Sequence, residues 1–314
     1  MKTINSIGSA KQIVYEVGKV IVGKDEVIIK MLLAILARGH ILMEDIPGVG
    51  KTTMALAFSR ALGLDYNRVQ FTPDVLPSDI TGFSIYDKNT GKMTYQRGAI
   101  LCNLFLADEL NRATSRTQAA LLQAMEEGEV TVDNVTYPVP QPFMVIATQN
   151  PIGAKGTQML PDSQLDRFMI RLSMGYPDPE AEAEMIRRKQ QGISLEQVQQ
   201  VVSRQELIGI CAEAEHTYIK DSLIDYIVKL CTATRNDSRI LQGASPRAAL
   251  SLTALAKAAA WIQGRDYVVP SDIRFVFADS IQHRLIWASD NLSFKKQRSV
   301  VDELFSSVRA PEIR

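Results

Sequence analysis

The chain has 314 residues, of which 46% are hydrophobic and 22% are charged, as in an ordinary globular protein. A chain of this length predicts roughly two domains. Lysine plus arginine and aspartate plus glutamate number 35 each, so no overall charge attracts the chain to nucleic acid or to an anionic membrane. The three cysteines form no Cys-x-x-Cys pair and the N-terminus lacks an apolar signal core, so we expect a cytoplasmic protein without a membrane span.

The first part of the chain predicts a strand, a glycine-rich loop and a helix in succession. Before them, apolar residues recur at helical spacing over residues 11–38, where Gly18 and Gly23 separate two predicted helices. The stretch HILMEDIPG then predicts a short buried strand over residues 40–44 that enters a turn. Behind Lys51, the amphipathic stretch TTMALAFSRALG predicts the helix.

Two later apolar runs predict further strands of one parallel sheet. AILCNLFLADE and PFMVIATQNP each reach polar residues at their ends, as buried strands do at the carboxyl edge of such a sheet. A helical pattern over residues 117–127 lies between them. This alternation predicts an α/β fold with crossover helices.

Two segments interrupt the alternation and each predicts a β-hairpin. GFSIYDKNTGKMTYQRG predicts one around residues 83–97 with its turn at NTG, and GEVTVDNVTYPVP predicts another over residues 130–137 with its turn at DN. The proline-containing stretch YPDPEAEAEMIRRKQQ marks a linker, after which nearly the whole pattern is helical. We therefore predict an α/β domain over residues 1–176 and an all-α domain over residues 177–314.

The stretch EDIPGVGKTT carries a candidate phosphate-binding loop. The N-terminus of a helix offers unpaired N–H groups and the positive end of the helix dipole, so a glycine loop that leads into one can surround a phosphate group. Gly48 and Gly50 would supply that loop. Lys51 would contact the β- and γ-phosphates, and the hydroxyl group of Thr52 would coordinate Mg²⁺.

The same loop departs from the usual phosphate-loop pattern at Asp45, which stands at the position of the first glycine. A Cβ atom there must fit the turn that enters the loop. Pro47 would restore rigidity, because its ring fixes φ just before the next glycine. From the loop alone, a Gly-Lys-Thr turn with an exposed lysine remains the alternative.

The acidic pair at the end of AILCNLFLADE favours the nucleotide-binding interpretation. A phosphate-loop ATPase needs one carboxylate to hold Mg²⁺ through its water shell and a second to activate the attacking water. Asp108 and Glu109 suit these two roles. The third strand ends in Thr148-Gln149-Asn150, whose amide groups could bond both the water and the γ-phosphate.

The chain resembles the MoxR family of AAA+ ATPases over nearly its whole length. Besides EDIPGVGKTT and PFMVIATQNP, the residues that carry the resemblance are FTPDVLPSDITG, LADELNRATSRTQAALLQAMEEGEVTV and LPDSQLDRF, with GASPRAALSLTALAKAAA and GRDYVVPSDI in the second domain. The resemblance implies an AAA+ core with a parallel sheet and inserted β-hairpins, followed by a helical lid domain. It also implies that an aspartate is acceptable at position 45.

By this resemblance several residues acquire roles. Thr52 and Asp108 would serve Mg²⁺, Glu109 would polarise water, and Asn150 would be the first sensor of the γ-phosphate. Val22 and Gly23, in IVGKDEV, would lie against the adenine. The full set that would bind the nucleotide is Val22, Gly23, Pro47, Gly48, Val49, Gly50, Lys51, Thr52 and Thr53.

The resemblance implies roles for two arginines as well. Arg167, in LDRF, matches the arginine finger that reaches the nucleotide of the neighbouring subunit, and Arg247, in SPRAA, matches the second sensor on a lid helix. A planar, permanently charged donor suits both roles, because it stabilises charge that develops on transferred phosphate oxygens. Surface ion pairs are the alternative for both side chains.

We expect Mg²⁺-dependent ATP hydrolysis by a homo-oligomer, a hexameric ring, that remodels or activates a protein partner. The family resemblance suggests a von Willebrand factor A domain protein as that partner. Two alternatives stay open, a nucleotide-switched binding module with little turnover and a DNA- or chelatase-type motor. Glu109, Asn150 and Arg167 together favour hydrolysis, whereas the neutral net charge disfavours nucleic acid.

Overall fold

The computed structural model describes residues 2–46, 48–89, 91–150, 160–289 and 293–312. Strands and helices alternate in the first half of the chain, and helices dominate the second half. The strands are β1 (Ile41–Glu44), β2 (Tyr66–Gln70), β3 (Gly82–Asp87), β4 (Lys92–Arg97), β5 (Leu104–Asp108), β6 (Glu129–Val132), β7 (Val135–Pro138), β8 (Met144–Gln149), β9 (Ile170–Leu172), β10 (Ile240–Gln242) and β11 (Ile286–Trp287). The helices are α1 (Lys2–Gly18), α2 (Asp25–Leu36), α3 (Lys51–Ala61), α4 (Pro77–Thr81), α5 (Ser115–Glu127), α6 (Asp162–Leu165), α7 (Pro179–Gln190), α8 (Arg204–Glu215), α9 (Asp221–Asn236), α10 (Pro246–Ile262), α11 (Pro270–Ile281) and α12 (Phe294–Ser307).

A five-stranded sheet in the order β2-β5-β8-β1-β9 forms the centre of the first half, and every neighbouring pair in it is parallel. The three predicted apolar strands become β1, β5 and β8, so the predicted parallel α/β core is confirmed. Both β5 and β8 are buried at every position, which explains their continuous apolar sequences. The sequence did not predict β2 or β9, because β2 is a largely exposed edge strand and β9 has 3 residues.

Both predicted hairpins are confirmed. The first pairs β3 with β4, and the second pairs β6 with β7. Asp133 and Asn134, at the second turn, have φ values of 50° and 64°, as a two-residue hairpin loop requires. The ring of Tyr95 stacks on the ring of Tyr137 with centroids 3.9 Å apart, so an aromatic contact joins the two hairpins.

The predicted helical lid is confirmed, with one correction to the all-α expectation. β10 and β11 form a short antiparallel pair in which Ile240 lies opposite Trp287. Strands of 3 and 2 residues are too short to produce an alternating pattern in the sequence. The predicted domain boundary at residues 176 and 177 stays a prediction.

The lid shares its hydrophobic core with one face of the sheet. Buried side chains form one continuous cluster from α1, α2 and α3 into α8, α10 and α11, while a second cluster lies between the other face and α5. Cys102, Cys211 and Cys231 are all buried, and burial raises the pKa of each thiol. Within the described part of the chain, every helix falls short of the length and apolar character that a membrane crossing needs.

A buried aspartate fixes the chain between β1 and the candidate phosphate loop. Asp45 is 5% exposed, and its carboxylate accepts hydrogen bonds from the hydroxyl group of Ser173 at 2.9 Å, from the N–H of Met174 and from the N–H of Gly175 at 3.0 Å. These three donors follow β9. The φ angle of Asp45 is not positive, so this position has no need of glycine. The aspartate thus joins the start of the loop to the segment beyond the edge strand.

We predict that Asp45→Gly, which restores the usual loop pattern, destabilises the protein. The change leaves buried N–H donors without an acceptor, and we expect a loss of about 3 kcal/mol in the free energy of unfolding. Urea denaturation would measure it. Asp74→Gly, at an exposed aspartate, is the control and should change stability by less than about 0.5 kcal/mol. An Asp45→Gly protein as stable as the parent would contradict this structural role.

Candidate nucleotide-binding site

The carboxyl edge of the sheet gathers the predicted phosphate, water and metal-binding residues. β8 lies between β1 and β5, and Glu44 at the end of β1 is in register with Gln149 at the end of β8. On the other side of β8, the hydroxyl group of Thr148 donates to Oδ1 of Asp108 at 2.6 Å. The phosphate loop, the acidic pair and Asn150 therefore follow three neighbouring strand ends, which is where α/β sheets bind their ligands.

The backbone of the predicted phosphate loop suits an anion. Gly48 and Gly50 have φ values of 85° and 97°, in the left-handed region that favours glycine. Gly50 is the N-cap of α3, so the N–H groups of the first helical turn at Lys51 and Thr52 lie at the end of the loop. Pro47 lies outside the described residues, and its predicted role stays a prediction.

Lys51 supplies the cation of this loop. Its Nζ donates to the carbonyl oxygens of Asp45 at 2.9 Å and Ile46 at 3.3 Å. Burial lowers the pKa of Lys51, and the charges of Asp45, Asp108 and Glu109 oppose that shift. The ammonium group therefore lies within electrostatic reach of the acidic pair, and its acceptors in the loop are neutral carbonyl groups that an anion could replace.

The acidic pair is held by side chains on both sides. Asp108 is buried, and its Oδ2 accepts from Nη2 of Arg68 at 2.7 Å while Thr148 occupies Oδ1. Glu109 has a φ of 56°, its N–H donates to the hydroxyl oxygen of Thr148 at 2.9 Å, and its carboxylate pairs with Arg112 at 2.7 Å. A non-glycine residue in this conformation is uncommon, and such residues cluster at functional sites.

The roles of Arg68 and Thr148 were not predicted. Arg68 lies on β2, an edge strand whose polar sequence gave no strand prediction. Its side chain reaches Asp108 because β2 pairs with β5. Thr148 belongs to the predicted strand end, but its bonds to the acidic pair depend on the position of β8 in the sheet. Asn150 follows the last residue of β8, and its carbonyl oxygen accepts a hydrogen bond from Nδ2 of Asn111 at 3.2 Å.

A cleft of about 380 Å³ lies beside the loop and suits a flat, largely apolar group such as a nucleobase. The predicted residues Val22, Val49 and Thr53 line it. Further lining residues that the sequence did not indicate include Met174, Tyr176 and Met185.

Gly23 lies in the turn between α1 and α2, beside this cleft. Its φ is 69°, and a Cβ atom added to it would lie 2.7 Å from Cβ of Ala181 on α7. The glycine therefore permits close packing of the turn after α1 against α7. Its two neighbours in the sequence, Val22 and Lys24, line the cleft, and the predicted contact of Gly23 with the nucleotide stays a prediction.

The two predicted arginines meet on one glutamate of α5. Nη2 of Arg167 lies 3.0 Å from Oε2 of Glu126, and Nη2 of Arg247 bonds Oε1 of the same carboxylate. The bond from Arg247 and the charge of Arg167 lower the pKa of Glu126. The three side chains are 29 to 43% exposed, so they form a surface patch that another molecule can reach.

Known proteins are similar in sequence to nearly the whole of this chain. A family model described as "ATPase family associated with various cellular activities (AAA)" matches residues 40–170, and an AAA lid domain model matches residues 232–304. Chaperone MoxR1 of Mycobacterium tuberculosis is 38% identical over 98% of this chain and 84% of its own length. Protein MoxR of Methylorubrum extorquens is 32% identical over 94% of this chain and 93% of its own length. Protein YeaC of Bacillus subtilis is 41% identical over 95% of this chain and 93% of its own length.

A solved structure agrees with the sequence comparisons. The crystal structure of a candidate ATPase from Cytophaga hutchinsonii superposes with a TM-score of 0.91 at 38% identity and covers 99% of this chain and 97% of that one. The similarity therefore includes the sheet, the hairpins and the helical lid together. The chain belongs to the MoxR family of AAA+ ATPases.

Proposed function

We propose that this protein hydrolyses ATP with Mg²⁺ and uses the reaction to remodel or activate a protein partner. The observation that supports the proposal is the meeting of the phosphate loop, the acidic pair and Asn150 at one edge of the sheet. A binding module that only switches shape would need no carboxylate positioned to activate water. Family membership supports a nucleotide as the ligand.

Different groups of the chain have different roles in the proposed reaction. The N–H groups of the loop and the Lys51 ammonium group would bind phosphate oxygens, while the Thr52 hydroxyl would hold Mg²⁺ directly and the Asp108 carboxylate would hold it through water. When bound, Mg²⁺ neutralises charge on the phosphates. Glu109 orients a water molecule and accepts its proton, and Asn150 bonds the γ-phosphate.

Arg167 and Arg247 act on the nucleotide of a neighbouring subunit in a hexameric ring. Both side chains bond Glu126 on an exposed patch, so one neighbour can meet both of them. The shared patch favours action in trans for Arg247 as well as for Arg167. Two guanidinium groups from outside the phosphate loop would stabilise charge on the transferred phosphate.

The hairpins contact the partner protein. Phe83, Ile85, Tyr86 and Met93 of the first hairpin are each 44 to 62% exposed, which is unusual for large apolar side chains grouped on one element. The stack between the hairpins connects this surface to the segment that leads into β8 and Asn150. The chaperone name of the mycobacterial relative supports a protein partner. We place this activity in the cytoplasm, with a von Willebrand factor A domain protein as the partner by family resemblance.

The first test separates binding from hydrolysis. Lys51→Ala should abolish the rise in Tm that Mg²⁺-ATP produces, because it removes the cation of the loop. Glu109→Gln should keep that rise and lower kcat by about a hundredfold or more, because it removes the acceptor of the water proton. Glu196→Gln, at an exposed glutamate, is the control. Turnover of ATP by Glu109→Gln at the parent rate would refute the role of this carboxylate.

A second test concerns sites shared between subunits. Arg167→Ala keeps an intact loop and Lys51→Ala keeps an intact finger, and we expect each protein alone to be inactive. Equal mixing should restore ATPase activity, since roughly a quarter of the interfaces in a randomly mixed ring then pair an intact loop with an intact finger. Full ATPase activity in a protein that stays monomeric with nucleotide would exclude shared sites.

A third test concerns the first hairpin. Tyr86→Ser with Met93→Ser removes two exposed apolar side chains that lie opposite each other in the register. Basal hydrolysis should stay within about threefold of the parent, whereas stimulation of hydrolysis by the partner should be lost, since neither residue bonds the acidic pair. Lys88→Ser with Lys92→Ser, near the same turn, is the control. If the partner still stimulates the Tyr86/Met93 variant normally, the partner does not bind at these two residues.

A further inference from the structure

The segment that carries Arg167 is attached to the lid. Oγ of Ser245 lies 3.0 Å from each carboxylate oxygen of Asp166, and Nε of Arg284 lies 3.6 Å from Oδ1. Ser245 is the N-cap of α10 and also accepts from the N–H of Ala248. The residue before the predicted finger is therefore bonded to the start of the lid helix that bears Arg247.

The residue after the finger is attached to the same part of the lid. The carbonyl oxygen of Phe168 accepts from Nη2 of Arg284 at 2.7 Å and lies 2.9 Å from Nε2 of His283. Arg284 also donates to the hydroxyl group of Ser251 on α10 at 3.0 Å. The side chain of Phe168 is fully buried. Both neighbours of the finger are thus bonded to lid residues.

One buried charge holds this arrangement. Arg284 is 6% exposed, and burial lowers its pKa to about 10, so the guanidinium group stays charged at neutral pH. Burial holds the pKa of His283 well below its usual value, so the imidazole is neutral there. A buried charge keeps its position only with well-placed partners. For Arg284 these partners are Asp166, the Phe168 carbonyl group, Ser251 and the imidazole of His283.

We propose that Asp166 and Arg284 are positioning residues that fix the arginine finger to the lid, so that Arg167 and Arg247 reach the neighbouring nucleotide as one rigid unit. This inference rests on the proposed function, in which both arginines act in trans. The side chain of Arg167 is long and has several rotatable bonds, so its backbone must be held firmly for the guanidinium group to meet a transferring phosphate. A displacement of about 1 Å at a catalytic group can cost about a hundredfold in rate.

The first experiment compares serine caps in the full-length protein. Ser245→Ala should lower kcat by about tenfold or more and leave the KM for ATP and the ATP-induced rise in Tm unchanged, because each subunit's own loop is intact. Ser245→Thr, which keeps a hydroxyl group, should restore kcat. Ser203→Ala is the matched control, since Ser203 caps α8 with the same kind of hydrogen bond. A loss of kcat in Ser203→Ala equal to that in Ser245→Ala would overturn the inference.

The second experiment mixes variant proteins to decide whether Asp166 supports the arginine finger or the phosphate loop. Asp166→Ala mixed with Lys51→Ala should recover activity, because the second protein supplies an intact finger. Asp166→Ala mixed with Arg167→Ala should not recover, because neither protein has a working finger. A protein that is only destabilised would not show this difference between partners.

The outcomes also separate this inference from the proposed function. If a mixture of the Arg167→Ala and Lys51→Ala proteins fails to recover ATPase activity, the proposal of sites shared between subunits is refuted. Recovery of that pair, together with a parent-like kcat in Asp166→Ala, would refute only the positioning role. If Asp166→Ala does not fold, Ser245→Ala replaces it in both mixtures and the same outcomes decide.

Discussion

The position of β8 between β1 and β5 is the constraint on which the rest of the site depends. It brings together three chain segments that are far apart in the sequence, and it does so through backbone hydrogen bonds whose register fixes which side chains face each other. A slip of one residue in β8 would turn Thr148 to the opposite face of the sheet. The acidic pair would then lose the hydroxyl group that binds both Asp108 and the N–H of Glu109.

Electrostatic pairing restrains most of the charged groups at this edge. Asp108 pairs with Arg68 and Glu109 with Arg112, while Lys51 bonds loop carbonyl groups. Each carboxylate therefore has a defined position in the protein alone. A ligand that draws on these groups must exchange one set of partners for another, and such exchanges cost less than creating the site from disordered side chains.

Local patterns predicted much of the fold and of the site. Continuous apolar runs ending in polar residues predicted β1, β5 and β8, and the glycine loop predicted the start of α3. The roles of Asp45, Arg68 and Glu126 escaped prediction, because each depends on a contact with a segment distant in sequence that leaves no periodic signal. The same reason explains β2 and β9, which are strands by virtue of their neighbours in the sheet.

The stack of Tyr95 on Tyr137 has a consequence for how this protein can diversify. Both rings lie where the hairpins meet, whereas Tyr86 and Met93 lie closer to the exposed turn of the first hairpin. Mutations near that turn can alter which molecules are recognised without disturbing the contact between the hairpins. A change in either stacked ring instead affects two insertions at once, so each of these two positions is constrained by the other as well as by its own strand.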